Sequence, residues 1–449
     1  MTLRSRIRRC VWLSIAGVAL GLVAGGLNAA LQAQPRSGGE HWVATWATAV
    51  VARPQSPVTP LPAVAGSPCQ PQAFGPGPGR QGGGPPPTPP APLNFSNQTL
   101  RQIVHVSIGG DRLRVVLSNA FGTVPLTVGA AHVALRVKDA AIDPKSDRAL
   151  TFGGSPSAAI AAGAVVVSDP IGLSVPAFAD LAIDAFLPGD TAALPSPLTT
   201  HNGALQTNYV STEGNHAGDA DLPVMTTTQA WFFLARVEVA APDRAGAIVA
   251  FGDSITDGTR STPNTNSRWP DQLAKRLAAS STKLAVLNEG IAGNRVLCDG
   301  AGVSALARFD RDVLVQTGAT HVVVLESIND IGIGRNNPSP SAADLIAAHR
   351  QLIDRAHSRG LKIFGATLTP FEGAAYATPE GEVKRQAVND WIRTSKAYDG
   401  VVDFDAAVRD PAAPSKIQQR FNPGDNLHMN DAGYQAMADA IDLGLFGAK

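Results

Sequence analysis

Charge is scarce in this chain of 449 residues: Asp, Glu, Lys and Arg make up 16%, with 37 basic and 37 acidic side chains and a formal net charge of zero. Globular proteins usually carry about a quarter. No basic excess marks a nucleic-acid partner. Cysteine is rarer still, at three residues. The chain has no Cys-x-x-Cys, no His-Glu-x-x-His and no glycine-rich loop closed by lysine. That removes the motifs of dithiol, zinc and nucleotide-phosphate chemistry, and no metal or cofactor is called for. A Gly-x-Ser-x-Gly elbow is also missing, which argues against the α/β-hydrolase type of esterase. What is plentiful is Gly (44) and Pro (34). The length suffices for two or three domains, each with its own core.

The N-terminus reads as an address. Arg4, Arg6, Arg8 and Arg9 precede the apolar stretch Val11 to Leu27, and small residues follow at Ala29, Ala30 and Ala33. This is the pattern of a secretory signal peptide over residues 1–33. As a membrane span it is short against the ~20 residues required, so an uncleaved anchor is the lesser reading and no stable span follows cleavage. Arg8-Arg9 also leaves a twin-arginine route open. A secreted or periplasmic location follows. Cys10 falls in this segment and lacks a lipidation context, leaving Cys69 and Cys298 as one candidate disulfide that sequence does not decide.

Residues 40–240 read as β. Val104, Val106 and Ile108 alternate, Gly109-Gly110-Asp111 turns, and Leu113, Val115 and Leu117 alternate again, which predicts a hairpin with one buried face. Leu181, Ile183, Ala185 and Leu187 repeat the pattern, and Trp231 to Leu234 forms a further strand. A β-sandwich is the expected architecture. Inside it, residues 52–93 are rich in Pro and Gly and form an insert too poor in apolar side chains to build a core.

From 245 to 449 the texture alternates between strand and helix. Ala247–Phe251, Leu284–Asn288, His321–Leu325, Leu361–Ala366 and Val401–Phe404 are short apolar runs, as buried parallel strands should be. A helix is predicted over Ser341–Arg359, capped by Ser341 and ended by Gly360, and a last one over Asn430–Leu445. Five strands with crossover helices predict an α/β fold: a three-layer α/β/α, flavodoxin-like parallel sheet. Ligands of such sheets bind beyond the carboxyl ends of the strands, where Ser254, Gly293 and Asn329 fall.

Four blocks carry chemistry. Gly252-Asp253-Ser254-Ile255 ends the first run; Asn288 to Asn294 follows the second; Ser327-Ile328-Asn329-Asp330 follows the third; Asp425-Asn426-Leu427-His428 lies in a late loop. A serine becomes a nucleophile when a histidine takes its proton and an aspartate orients the ring. Ser254, His428 and Asp425 are those three. In this order the blocks resemble the SGNH, or GDSL, hydrolases, which are serine esterases and lipases. That resemblance implies an oxyanion hole from the Ser254 N–H, the Gly293 N–H and the Asn329 side-chain amide. It implies an ester substrate: a small acyl ester, an acetylated glycan or a lipid. Ser327 departs from the glycine that usually opens the third block, and a serine there could restrict the turn or narrow the acyl pocket. Plainer roles exist for the same residues. Ser254 could cap a helix, Asp253 caps the turn, Asn430 caps the last helix, and Asp330 is scaffold. A lipase or lysophospholipase, and a non-catalytic glycan-binding or adhesion module, are the alternatives. Trp42, Trp46 or Trp269 on the surface would favour sugar; most such tryptophans are core. Oligomeric state is not written in the sequence.

Overall fold

The computed structural model describes residues 40–55, 69, 93–193, 196–280, 282–333 and 339–447. The signal peptide expected over residues 1–33 and nearly all of the insert expected over 52–93 lie outside these. Ala52 and Arg53, expected to begin the insert, instead belong to the strand Val51–Arg53, which pairs with Leu198–Asn202.

The apolar runs of the second half form one parallel sheet of five strands. Its order is Leu284–Gly290, Gly246–Gly252, Ala319–Leu325, Lys362–Ala366, Gly400–Val402. The first strand in sequence therefore lies between the second and third, so the order reverses beside Gly252. Every residue of Gly246–Gly252 is buried, which explains a run without polar alternation. The last strand stops at Val402, because Asp403 caps a helix that starts at Phe404. Ala342–Ser358 is capped by Ser341, whose hydroxyl accepts from the Asp344 N–H. The final helix is Asp431–Asp439, with Asn430 accepting from Gly433 N–H; a 3-10 turn over Leu443–Phe446 replaces its expected last part.

The first half is antiparallel throughout. The predicted hairpin is not one. Gln98–His105 pairs with Asp180–Leu187 and Asn208–Glu213, whereas Gly110–Ser118 pairs with Leu234–Ala240 and lies in another sheet. Val104, Val106, Leu113, Val115 and Leu117 nevertheless share one core with Leu181, Ile183, Val237 and Val239. Alternation correctly reported the buried face, but the two strands meet through side chains across that core. Trp231 to Leu234 is likewise broken, at Phe233, whose φ is 56°.

Residues Trp42–Lys449 form one compact unit. Strand Trp42–Ala47 joins its parts: Val43, Ala44 and Ala47 pack into the core of the parallel sheet while Trp46 packs into the antiparallel core. Each large apolar side chain so buried contributes roughly 1.5–3 kcal/mol.

Candidate active site

The buried strand Gly246–Gly252 has to end in a turn because its continuation is polar. At Gly252 a Cβ would collide with Thr256 and with the Leu325 carbonyl. Asp253 then caps a single helical turn, Ser254–Asp257, its Oδ1 accepting from the Ile255 N–H at 2.9 Å. Gly258, at φ 94°, closes the turn by donating to the Ser254 carbonyl at 2.9 Å. Ser254 thus stands at the carboxyl end of the first strand, where the sheet order reverses and ligands of such sheets bind.

The late loop brings the other partners to it. His428 Nε2 lies 2.8 Å from Ser254 Oγ, and His428 Nδ1 lies 2.9 Å from Asp425 Oδ2. Asp425 Oδ1 also accepts the N–H groups of His428 and Leu427, at 3.0 and 3.1 Å. Burial alone would raise the Asp425 carboxyl; the bonds from the His428 ring and these N–H groups outweigh it and hold the group well below the usual carboxylate range. An ionised carboxylate only accepts. Nδ1 therefore carries the ring proton, and the lone pair of Nε2 faces the Ser254 hydroxyl. The site is reachable: the side chains of His428 and Asp425 are 14% and 24% exposed. Arg260, which sequence reasoning missed, donates Nε to Asp425 Oδ2 at 3.0 Å.

The oxyanion candidates come from the neighbouring strand ends. Ile291 N–H donates to the Gly252 carbonyl at 3.0 Å, which seats the second block against the first. Gly293 follows at φ 80°, a conformation that glycine adopts without strain. Asn329 Nδ2 donates to the Asn294 carbonyl at 2.9 Å, and its Oδ1 accepts from the Tyr376 hydroxyl at 3.1 Å. Tyr376 therefore orients the amide, whose second N–H has no partner among the described residues. The backbone N–H groups of Ser254 and Gly293 have no partner among the described residues. Asp330 accepts from the Val296 and Leu297 N–H groups at 2.7 and 3.1 Å, scaffolding the loop after Gly293. Burial pushes Asp330 up to about 6, and Asp253, likewise buried, to about 7.

Two buried groups brace the blocks without any local sequence signal, Arg308 between the first two and His349 behind the third. Arg308 donates to the Gly252 carbonyl and the Glu289 carbonyl, each at 2.8 Å, and to Asn294 Oδ1 at 2.9 Å. A single guanidinium thus spans the first two blocks, its five donors making this bridge in one plane. Ser327 shows why the third block tolerates its departure. Its φ is 106°, a region that costs an L-residue roughly 1–3 kcal/mol. Its hydroxyl lies 3.0 Å from His349 Nε2, and His349 Nδ1 lies 2.5 Å from the Tyr398 hydroxyl. Burial pushes His349 down to about 4, so the ring is neutral and links the two hydroxyls. The Ser327 side chain is fully buried against His349, so it lines no solvent-facing acyl pocket.

Cys69 and Cys298 form a disulfide, tying residue 69 to the loop that follows Gly293. Trp46 and Trp269 are core, 8% and 0% exposed, and offer no platform for a sugar. Trp42 stacks under the Arg114 guanidinium, 4.5 Å from its ring centroid. Among the described residues no His, Cys, Asp and Glu cluster could hold a metal, and no helix is long and apolar enough to cross a membrane.

Residues 250–436 match the model of the GDSL-like lipase/acylhydrolase family. No curated protein matches the chain. Among solved structures, a variant of an acetyl xylan esterase from Geobacillus stearothermophilus is 22% identical, covering 46% of this chain and 98% of its own at a TM-score of 0.36. The native aryl esterase of M. smegmatis is 14% identical, with 46% and 100% covered and a TM-score of 0.36. A GDSL-like lipase from Bacteroides thetaiotaomicron is 16% identical, with 46% and 92% covered and a TM-score of 0.34. The matched segment contains all four blocks, so it is residues 250–436 of this chain that are similar to the GDSL-like lipase/acylhydrolase family.

Proposed function

We propose that this chain is a secreted serine esterase that cleaves carboxylic esters through an acyl-serine intermediate. The observation that carries the reading is the 2.8 Å contact between Ser254 Oγ and the bare Nε2 of a histidine held by an ionised aspartate. Ser254 Oγ attacks the ester carbonyl carbon as its proton passes to His428 Nε2. The carbonyl oxygen gains charge and is met by the N–H groups of Ser254 and Gly293 and by Asn329 Nδ2. Each such donor is worth about 10²–10³ in rate. Collapse breaks the carbon–oxygen bond, and His428 returns the proton to the departing alcohol. Water then repeats the sequence on the acyl-serine, releasing the acid.

The proposed organisation is a signal peptide over residues 1–33, a β-sandwich over 40–240 with the 52–93 insert, and a three-layer α/β/α catalytic domain over 245–449. The substrate we favour is a short acyl or acetyl ester, including one carried on a glycan. None of the large exposed apolar residues among those described falls in the four blocks, whereas a lipase needs a broad apolar mouth.

The test is hydrolysis of p-nitrophenyl esters, from acetate to long acyl chains, by the mature protein and by Ser254→Ala. Turnover that prefers acetate and disappears in Ser254→Ala is expected. Undiminished turnover in that variant would remove Ser254 as the nucleophile. A long-chain preference would restore the lipase reading, and no turnover on any ester would favour a binding module.

A further inference from the structure

We propose that His201, on the antiparallel side of the molecule, is a positioning residue for the Ser254 nucleophile, so that the β region is a working part of the active site. The inference rests on the esterase reading above.

His201 lies in the strand Leu198–Asn202 and is buried. Its Nδ1 is 2.7 Å from the Ala49 carbonyl, and its Nε2 is 3.1 Å from Asp257 Oδ1. Asp257 ends the helical turn that begins with Ser254, and the two side chains are only 4% and 3% exposed. A carbonyl has no proton to give, so Nδ1 must donate to Ala49. One proton then sits between Nε2 and Asp257 Oδ1, whichever atom holds it. His201 thereby pins the far end of the nucleophile turn to the backbone at Ala49, in a place water does not reach to compete.

The same β region grips the segment beyond the turn. Asn264 N–H donates to the Leu205 carbonyl at 2.8 Å, and Asn264 Oδ1 accepts from Gln206 Nε2 and the Thr207 N–H at 3.0 and 2.7 Å. Arg268 donates to the Ala204 carbonyl. This held segment also reaches the other half of the site. The Tyr434 hydroxyl donates to the Thr259 carbonyl at 2.7 Å, Thr262 N–H donates to Asp431 Oδ1 at 2.8 Å, and Arg260 donates to Asp425 Oδ2. Residues 257–268 are thus a strut, anchored on residues 201–207, that touches the turn of Ser254 and the loop of Asp425 and His428. A helical turn of four residues has little stability of its own. What holds it in register with His428 is this strut, and His201–Asp257 is its buried fastening.

The test compares His201→Gln, Asp257→Ala and Asp257→Asn in the full chain, reading kcat, KM and Tm on p-nitrophenyl acetate, beside Ser254→Ala. Glutamine can reach one of the two partners of His201 but not both, and alanine at 257 removes the fastening. Asparagine at 257 can donate its amide to Nε2 of a neutral ring and restore it. Misplacement of a reacting group by about 1 Å costs up to about 10²-fold. The expectation is a 10- to 100-fold fall in kcat with KM nearly unchanged in His201→Gln and Asp257→Ala. Asp257→Asn should recover most of the loss. Wild-type kcat in either of the first two, or an Asp257→Asn as impaired as Asp257→Ala, overturns the proposal. Should Asp257→Ala not fold, His201→Gln against Asp257→Asn decides it in the same way. The esterase reading fails separately, when Ser254→Ala keeps its turnover.

Discussion

Replacing Asp425 with asparagine changes one atom of the side chain and should nearly abolish turnover, because the surrounding hydrogen bonds dictate which way the amide faces. Asp425 Oδ1 accepts the N–H groups of Leu427 and His428 at 3.1 and 3.0 Å, while Oδ2 faces the His428 ring. In Asp425→Asn the amide oxygen takes the two backbone donors, which cannot move away, whereas the Arg260 guanidinium that donates to Oδ2 is 56% exposed and can swing into water. The NH₂ then points at His428 Nδ1, which has to become an acceptor. A neutral ring so arranged carries its proton on Nε2, 2.8 Å from Ser254 Oγ, and has no lone pair left to take the hydroxyl proton. Geometry survives; the base does not. The loss for a wrong tautomer of this kind is about 10⁴ in kcat, or about 5.5 kcal/mol of transition-state stabilisation. Folding should change little, since the helix caps and the loop bonds to Leu427 and His428 remain. The assay is kcat on p-nitrophenyl acetate with Tm measured alongside. An Asp425→Asn protein within tenfold of wild type would refute the tautomer argument and with it the role of Asp425.

Two further outcomes concern stability. At position 327, alanine keeps the unfavourable φ and loses the hydroxyl bond to His349, whereas glycine loses the bond but relieves the backbone. With a buried unpaired partner costing about 1–3 kcal/mol and the strain a similar amount, Tm should run wild type near Ser327→Gly, with Ser327→Ala clearly lower. Thermal melts showing alanine at least as stable as glycine would contradict this. Burial pushes Asp253 from its ordinary 3.8 up to about 7 in the folded protein. Between those values the folded state retains a proton that the unfolded state has released. This group therefore withdraws stability as pH rises from about 4 to about 7, by up to about 1.4 kcal/mol per pH unit. Asp253→Asn keeps an acceptor for the Ile255 N–H and cannot ionise. Its Tm advantage over wild type should grow from pH 5 to pH 8; a constant difference would place the burden elsewhere.

Several features were legible in advance because they are local. The five apolar runs became parallel strands within a few residues of their predicted bounds, since the interior stretches of such strands are buried on both faces and are mostly apolar, Gly246–Gly252 throughout its length. Ser341 and Asn430 cap helices as expected, because a cap is a contact between residues three apart. Local periodicity could not tell that Gln98–His105 and Gly110–Ser118 lie in different sheets. Alternation reports which face is buried and is silent about the hydrogen-bonding partner at the strand edge.

Residue order along the chain determined the chemistry available here: a serine after a buried strand, an Asp–His pair three residues apart, and a glycine and an asparagine in the loops between. Those depend on side-chain type and short spacing, which a sequence records. Only the tertiary structure decided what makes them act together. It put Tyr376 on Asn329, His349 on Ser327, Arg308 across the strand ends, and His201 on the turn of Ser254. Each of these contacts joins residues tens of positions apart, and each depends on burial to keep water from competing. Neither separation nor burial is written in the neighbourhood of any one residue.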